Sequence, residues 1–279
     1  MNTTTEISSS AVRQIRLIAA VEVRRLLSQT KGLMTLAAYV LLWLLLLLFV
    51  IRDAVNMMQQ PQAYDMVMGL FGDGAFSNLF KWPVAEYAVY WVFAIMLHPM
   101  FATMLSAGQF ADDIQRGTFR FLSLHCSRTS LFFGRFAGAL LVMALLTAAT
   151  VLITMVMALV RAPQLASDAV LGGLLMWLVI MAIILPYIAL MSLLSVIAAN
   201  SKQAIIYAVL YFTLLTIVIW AANMLFTPLT NLNYLLPGAF SEDFYRSTPA
   251  QAIQHLLLPL GQSVLFLGLG YYAFRRSDV

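Results

Sequence analysis

The residues best able to do chemistry in this chain are few, and most lie outside its apolar stretches. The densest group is Ala111-Asp112-Asp113-Ile114-Gln115-Arg116-Gly117-Thr118. It runs on through Phe119-Arg120-Phe121-Leu122 to Ser127-Arg128 and Gly134-Arg135. Acidic and basic side chains beside a Gly-Thr step, followed by a short apolar piece, fit a short surface helix. Its apolar side would rest on other helices and its charged side would face a partner. Gly117 would permit a tight turn, and Thr118 would cap the next segment. The other reactive types form no recognisable centre. His98, His125 and His255 are far apart, and none stands in an H-E-x-x-H pair or beside a serine in a triad pattern. Lys31, Lys81 and Lys202 are the only lysines and none follows a glycine, so a phosphate-binding G-x-x-x-x-G-K-[ST] loop is excluded. Cys126 is the sole cysteine, so it forms no internal disulfide and reads as a small apolar filler. Met57, Met58, Met66 and Met68 read as flexible apolar filling rather than a soft-metal path. His98, next to Pro99 in an apolar run, reads as a neutral histidine bonded across helices beside a proline kink. His255 reads as an interfacial residue.

The elements that must position these residues are set by composition. Of 279 residues, 62% are hydrophobic and 10% charged, against about 25% charged in soluble domains. That is too little charge to cover a water-facing surface, so lipid must solvate much of the exterior. A bilayer core needs about 20 apolar residues per helix. Six stretches supply them, at about 33–51, 85–108, 136–160, 169–198, 203–226 and 252–274. The fold class is therefore an all-α membrane protein: residues 1–32 form an amino-terminal segment and 33–279 a six-span domain. The first apolar run is too long for a cleaved signal core and reads as a retained span.

The net charge is +4, and its distribution orients the chain. Arg13, Arg16, Arg24, Arg25, Lys31, Arg116, Arg120, Arg128, Arg135, Lys202, Arg275 and Arg276 fall on one side. Only Arg52, Lys81, Arg161 and Arg246 fall on the other. Twelve against four places the first group, with both termini, in the cytoplasm, and the chain in the inner membrane. A nucleic-acid partner is not indicated, because the basic residues sort by membrane side. Val12, Ile15, Ala19, Val23 and Leu26 recur at steps of three and four opposite Arg13, Arg16 and Arg24. This predicts an amphipathic helix lying along the cytoplasmic interface. The external loop at about 52–84 is long and broken by Pro61, Gly69, Gly72, Gly74 and Pro83. It is a candidate surface for a periplasmic partner. The loop at about 227–251 carries Leu235, Leu236 and Phe240, which predict a re-entrant or interface-lying piece between spans five and six. Trp82, Trp91, Tyr207 and Tyr271 suit interfacial belts, and Pro186 and Pro259 are expected to bend spans four and six.

The Asp112/Asp113, Gly117-Thr118, Ser127-Arg128, Gly134-Arg135 series resembles the loop between spans two and three of type-2 ABC exporter permeases. That family carries an acidic residue before Gly-Thr, an apolar stretch, a Ser-Arg pair and a Gly-Lys entering span three. This chain has aspartate where glutamate is common, His125-Cys126 where a proline is common, and Gly-Arg for Gly-Lys. Val21-Glu22-Val23-Arg24-Arg25-Leu26-Leu27 resembles the family's helix before span one, and Tyr272 to Asp278 its basic-acidic tail. The resemblance implies a permease subunit that is not itself an enzyme. A separate ATP-binding subunit would supply ATP and magnesium, with no cofactor on this chain, and a second permease, identical or related, would pair with it. Coupling to the ATPase would involve Glu22, Arg24, Arg25, Asp112, Asp113, Arg116, Gly117, Thr118, Arg128 and Arg135. The alternative class is a secondary transporter or channel. Spans free of charge at their centres disfavour it, since ion coupling usually uses buried ionisable groups.

Overall fold

The computed structural model describes residues 3–58, 60, 62, 80, 82–118, 121, 126–225, 232–239, 243–244 and 248–276, with side chains from Val12 onward except at Lys31, Asn223, Leu225 and Pro249. Among these it is all helix, with no strand. The helices are α1 (Thr3–Ser28), α2 (Thr30–Leu45), α3 (Ala85–Ser106), α4 (Ala111–Arg116), α5 (Arg128–Arg161), α6 (Ala166–Ile197), α7 (Ser201–Leu225) and α8 (Leu257–Arg276). A π-helical turn, Leu46–Ile51, and a short helix, Arg52–Met58, extend α2. Six helices are long and apolar enough to cross a membrane, as the composition requires. Their ends differ from the predicted spans. The third helix begins at Arg128, so Gly134 and Arg135 belong to α5 and not to the preceding loop. The expectations for Pro61, Met66, Met68, Gly69, Gly72, Gly74, Arg120, His125, Phe240 and Asp278 fall outside the described residues.

α6 is the central helix, with α3, α5, α7 and α8 packed on it. Its buried positions, among them Gly173, Met176, Ile180, Ile184, Ile188 and Ser192, run along its length and go nearly all the way round between Ile183 and Val196, whereas Val170, Leu171, Leu174 and Leu178 near its start are exposed. That second half is apolar on nearly every face because protein surrounds it. α2 is different. Tyr39, Trp43, Leu47, Ile51 and Val55 are buried, while Leu41, Leu45, Leu48 and Phe49 are exposed. Four-residue steps in an α-helix drift by about 40° each. The wider π turn at Leu46–Ile51 offsets that drift and keeps the stripe on α3. There Trp43 lies 5.0 Å from Tyr90, and Tyr39 lies edge-on to Phe101 at 4.9 Å.

Lipid tails are as apolar as leucine, so helices in a bilayer associate through close packing and polar contacts. The chain uses both. Gly134 and Gly138 form a G-x-x-x-G step on α5. A Cβ at Gly134 would lie 2.8 Å from Ile18, and one at Gly138 2.6 Å from Glu22 and 3.2 Å from the Ala19 backbone. α1 therefore runs in close contact with α5, not only along a lipid interface. Ala19 is buried in that contact and Ile15, Val23 and Leu26 partly so, while Val12, Leu17, Val21, Arg13, Arg16 and Arg24 are not buried there. The amphipathic division read from the sequence thus holds except at Val12, which is 54% exposed.

Polar contacts close the remaining seams. Tyr90 Oη lies 2.8 Å from Thr150 Oγ1, and Tyr87 donates to the Ala169 carbonyl at 2.6 Å. His98 is fully buried; its Nδ1 faces the Ala94 carbonyl at 3.1 Å and its Nε2 the Tyr39 hydroxyl at 3.2 Å. Both ring nitrogens are occupied, which fits the reading of a histidine bonded across helices. Residues 232–239 are held on α7 and α8 by Tyr211, which donates to the Leu235 carbonyl at 2.6 Å, and Gln262, which donates to the Tyr234 carbonyl at 2.7 Å.

Gly138→Leu is expected to push α1 off α5 and cost about 1–3 kcal/mol, the usual range for overpacking. Gly268→Ala, where an added Cβ meets nothing within 4 Å, is expected to gain about 0.5–1 kcal/mol from helix propensity. Thermal unfolding of the two variants in detergent should therefore move in opposite directions.

Candidate functional site

Three elements meet at the end of the bundle that carries most of the basic residues. α1 brings Glu22 and Arg25. The turn 107–110 and α4 bring Gln109, Asp112 and Asp113. The first turns of α5 bring Arg135. Arg25 pairs with Glu22 at 3.8 Å, Asp112 at 3.4 Å and Asp113 at 3.6 Å. Arg135 pairs with Glu22 at 2.6 Å and with Asp113, and donates to the Gln109 carbonyl at 2.9 Å. The side chains are between 7% and 16% exposed. Two guanidinium groups thus bridge three carboxylates at a place with little water.

Local chemistry explains the geometry. α4 ends after six residues because Gly117 takes a left-handed conformation, φ 66°, where a side chain would be strained. Thr118 does not cap the next element, as its sequence position suggested. It folds back, donating to Asp113 Oδ1 at 3.1 Å, and so closes α4. The cap of α5 is Ser127, whose hydroxyl accepts from the Ser130 amide at 3.1 Å. Arg128 then donates to the Arg275 carbonyl at 3.1 Å and ties α5 to the end of α8.

The expected surface helix is present, but its charges divide in an unexpected way. Asp112 and Asp113 are buried and turn inward, whereas Gln115, Arg116 and Gly117 are exposed. Of the ten residues named from the sequence, Glu22, Arg25, Asp112, Asp113 and Arg135 form one cluster. Gly117 and Thr118 close the helix that carries it. Arg24 and Arg116 project outward, and Arg128 anchors α8. Sequence reading missed Gln109, which joins α6 by accepting from Ser192 at 2.7 Å, and Gly138. Gly138 had a legible signal in the G-x-x-x-G spacing; Gln109 had none. It also missed Glu86 and Arg161 at the opposite end, a two-pronged ion pair at 2.5 and 2.9 Å joining α3 to α5.

Burial raises the pKa of Glu22 above its ordinary 4.5, although Arg135 and Arg25 pull it down and Asp113 and Asp112 add to the rise. The folded state therefore holds the Glu22 proton more tightly than the unfolded chain does. The resulting stabilisation is full below about pH 4.5 and fades as pH rises through the folded value.

The sequence model of a family described as "ABC-2 family transporter protein" matches residues 16–279, from within α1 to the chain's last residue. The chain therefore belongs to the ABC-2 transporter family: a multi-pass membrane protein of ABC permease type. Membership implies in general an ATP-binding partner subunit. No curated protein matches the chain closely enough to count as a relative.

Arg135→Ala is expected to cost about 3–5 kcal/mol, because it leaves Glu22 and Asp113 buried beside one fewer cation. Glu22→Gln should cost far less at neutral pH, since burial already disfavours that charge. It should also flatten the loss of stability as pH rises above about 4.5. Unfolding midpoints measured across that range for both variants check the pair.

Proposed function

We propose that the chain is the membrane-spanning subunit of an ATP-driven exporter, resting in the inner membrane with both termini in the cytoplasm. The observation that carries this reading is the split of α4 into an outward edge, Gln115-Arg116-Gly117, and an inward carboxylate pair locked to α1 and α5. An ATP-binding subunit docking on the outward edge would meet Arg116 directly and Arg24 on the neighbouring α1. A push on α4 would pass through Arg25 and Arg135 into α1 and α5, and through the turn 107–110 into α3. Buried ion pairs suit this work because separating them is costly, so the elements they join move together.

In this reading Asp112, Asp113, Glu22, Arg25 and Arg135 transmit force and do not touch the partner. Gly117 and Thr118 shape the edge, and Arg128 carries the movement toward α8. ATP and magnesium belong to the partner chain. A second permease, identical or related, would cover apolar surface left on α2 and α7, where Leu41, Leu48, Leu210 and Leu214 are exposed. The segment between Met58 and Ala85 is the candidate contact for a periplasmic partner.

Arg116→Glu and Arg24→Glu are expected to leave thermal stability unchanged, since both side chains project outward. The double variant should lose the ATP-binding chain on co-purification, or retain it with transport uncoupled from hydrolysis. Normal coupled transport in that variant would show the docking edge to be wrongly placed. Transport in vesicles that persists after complete ATP depletion and tracks an ion gradient would reject the ATP-driven reading itself.

A further inference from the structure

Two cavities adjoin on one side of the bundle. The first, about 410 Å³, lies at the basic end and has Glu22, Arg25, Gln109, Asp112 and Lys202 on its wall. The second, about 560 Å³, is largely apolar and reaches Gln262 and Gly238 toward the opposite end. Met104 and Ile205 line both. Successive turns of α3 and α7 thus form one groove, polar at one end and apolar along its length. The side chains of Met104, Met100 and Met96 stand along it, 47%, 48% and 64% exposed.

The polar end is built for a particular charge pattern. Asp112 is 8% exposed, and its Oδ2 is engaged by Arg25 at 3.4 Å. Its Oδ1 has no hydrogen-bond partner among the described residues, and neither has Gln109 Nε2, on a side chain 4% exposed. A buried carboxylate oxygen without a donor is costly and favours a cationic hydrogen-bond donor. The carboxylate lies over Gly108, where an added Cβ would come within 2.8 Å of Asp112 Oδ2, so bare backbone leaves the space in which it sits. Gln109 Nε2 offers a donor to an anionic oxygen. Lys202, exposed at the rim, has no ion-pair partner among the described residues and adds a positive charge there. Acceptor within, donors beside it and apolar groove beyond are the features of a zwitterionic amphiphile turned inside out.

We propose that this groove binds an ammonium-bearing zwitterionic phospholipid of the phosphatidylethanolamine type. Its ammonium bonds Asp112 Oδ1, its phosphate faces Lys202 and Gln109 Nε2, and one acyl chain runs past Met104 and Ile205 toward Met100 and Val209. An anionic lipid fits less well, because its phosphate would approach the Asp112 carboxylate with no ammonium between. The assignment does not depend on ATP-driven transport and stands or falls separately from it.

The test uses the full-length chain, delipidated in mild detergent and offered equal amounts of phosphatidylethanolamine, phosphatidylcholine and phosphatidylglycerol. Retained lipid is counted by native mass spectrometry. The wild type should retain phosphatidylethanolamine over phosphatidylglycerol by about tenfold, the order expected from one charge-assisted hydrogen bond. Asp112→Asn should erase that preference. Because Asp112 also pairs with Arg25, two variants outside the ion cluster accompany it. Met104→Trp should fill the groove and lower retention of every lipid, and Lys202→Glu should lower it for all three, each with the unfolding midpoint unchanged. Equal retention of phosphatidylethanolamine and phosphatidylglycerol by the wild type would overturn the proposal. So would undiminished phosphatidylethanolamine binding in Met104→Trp, or a lipid-free dimer that Met104→Trp dissociates, since a second copy would then occupy the groove.

Discussion

The structure depends on one electrostatic constraint: three carboxylates and two guanidinium groups share a site from which water is largely excluded. Each would cost several kcal/mol to bury alone. Their contacts therefore fix where α1, α4 and α5 stand relative to one another. Arg25 reaches three carboxylates and Arg135 two, so no single element can leave without stranding charge on the others. This contact is possible only because Gly134 and Gly138 let α1 approach the α5 backbone.

Away from that site, helix association rests on other means. Thr147, Thr150 and Thr154 are buried along α5, and each hydroxyl returns to a carbonyl of its own helix. Such self-satisfied hydroxyls pack closely without demanding a partner across the interface. Thr150 and Gln109 go further, reaching Tyr90 on α3 and Ser192 on α6 respectively. The Glu86–Arg161 pair holds α3 to α5 at the far end. α3, α5, α6 and α8 thus make a stiff centre. α2 and α7 lie at its edge, and few α7 side chains beyond Ala204, Ala208, Ile219 and Ala222 are buried. In the proposed coupling, a rigid core would let force applied at α4 arrive undissipated, while edge helices could exchange neighbours at low cost.

Much of this was legible in the linear chain. Each span is long enough that local apolar content alone identifies it, and the outward basic residues Arg13, Arg16 and Arg24 came from simple periodicity. Other features left little trace. In α2 nearly every residue is apolar, so the buried stripe from Tyr39 to Val55 has no polar face to stand against. The start of α5 was misjudged because Arg135 looks like a loop residue when only hydropathy is weighed. Its charge is tolerated inside a helix because Glu22, from a distant part of the chain, lies 2.6 Å away. The Thr118 hydroxyl could close the helix before it or cap the one after, and only the backbone path past Gly117 decides.

By itself the sequence determined the solvent, the number of crossings, the asymmetry of basic charge and the family. All are sums of local transfer energies or short patterns, and a linear string preserves them. The tertiary structure alone decided which charges face outward and which face each other. Asp112 and Asp113 look like docking groups when read in line with Arg116. They turn inward because Arg25, 87 residues away from Asp112, and Arg135 meet them there. Charge pairing is a choice among distant partners, and only the packing of α1 against α5 makes it.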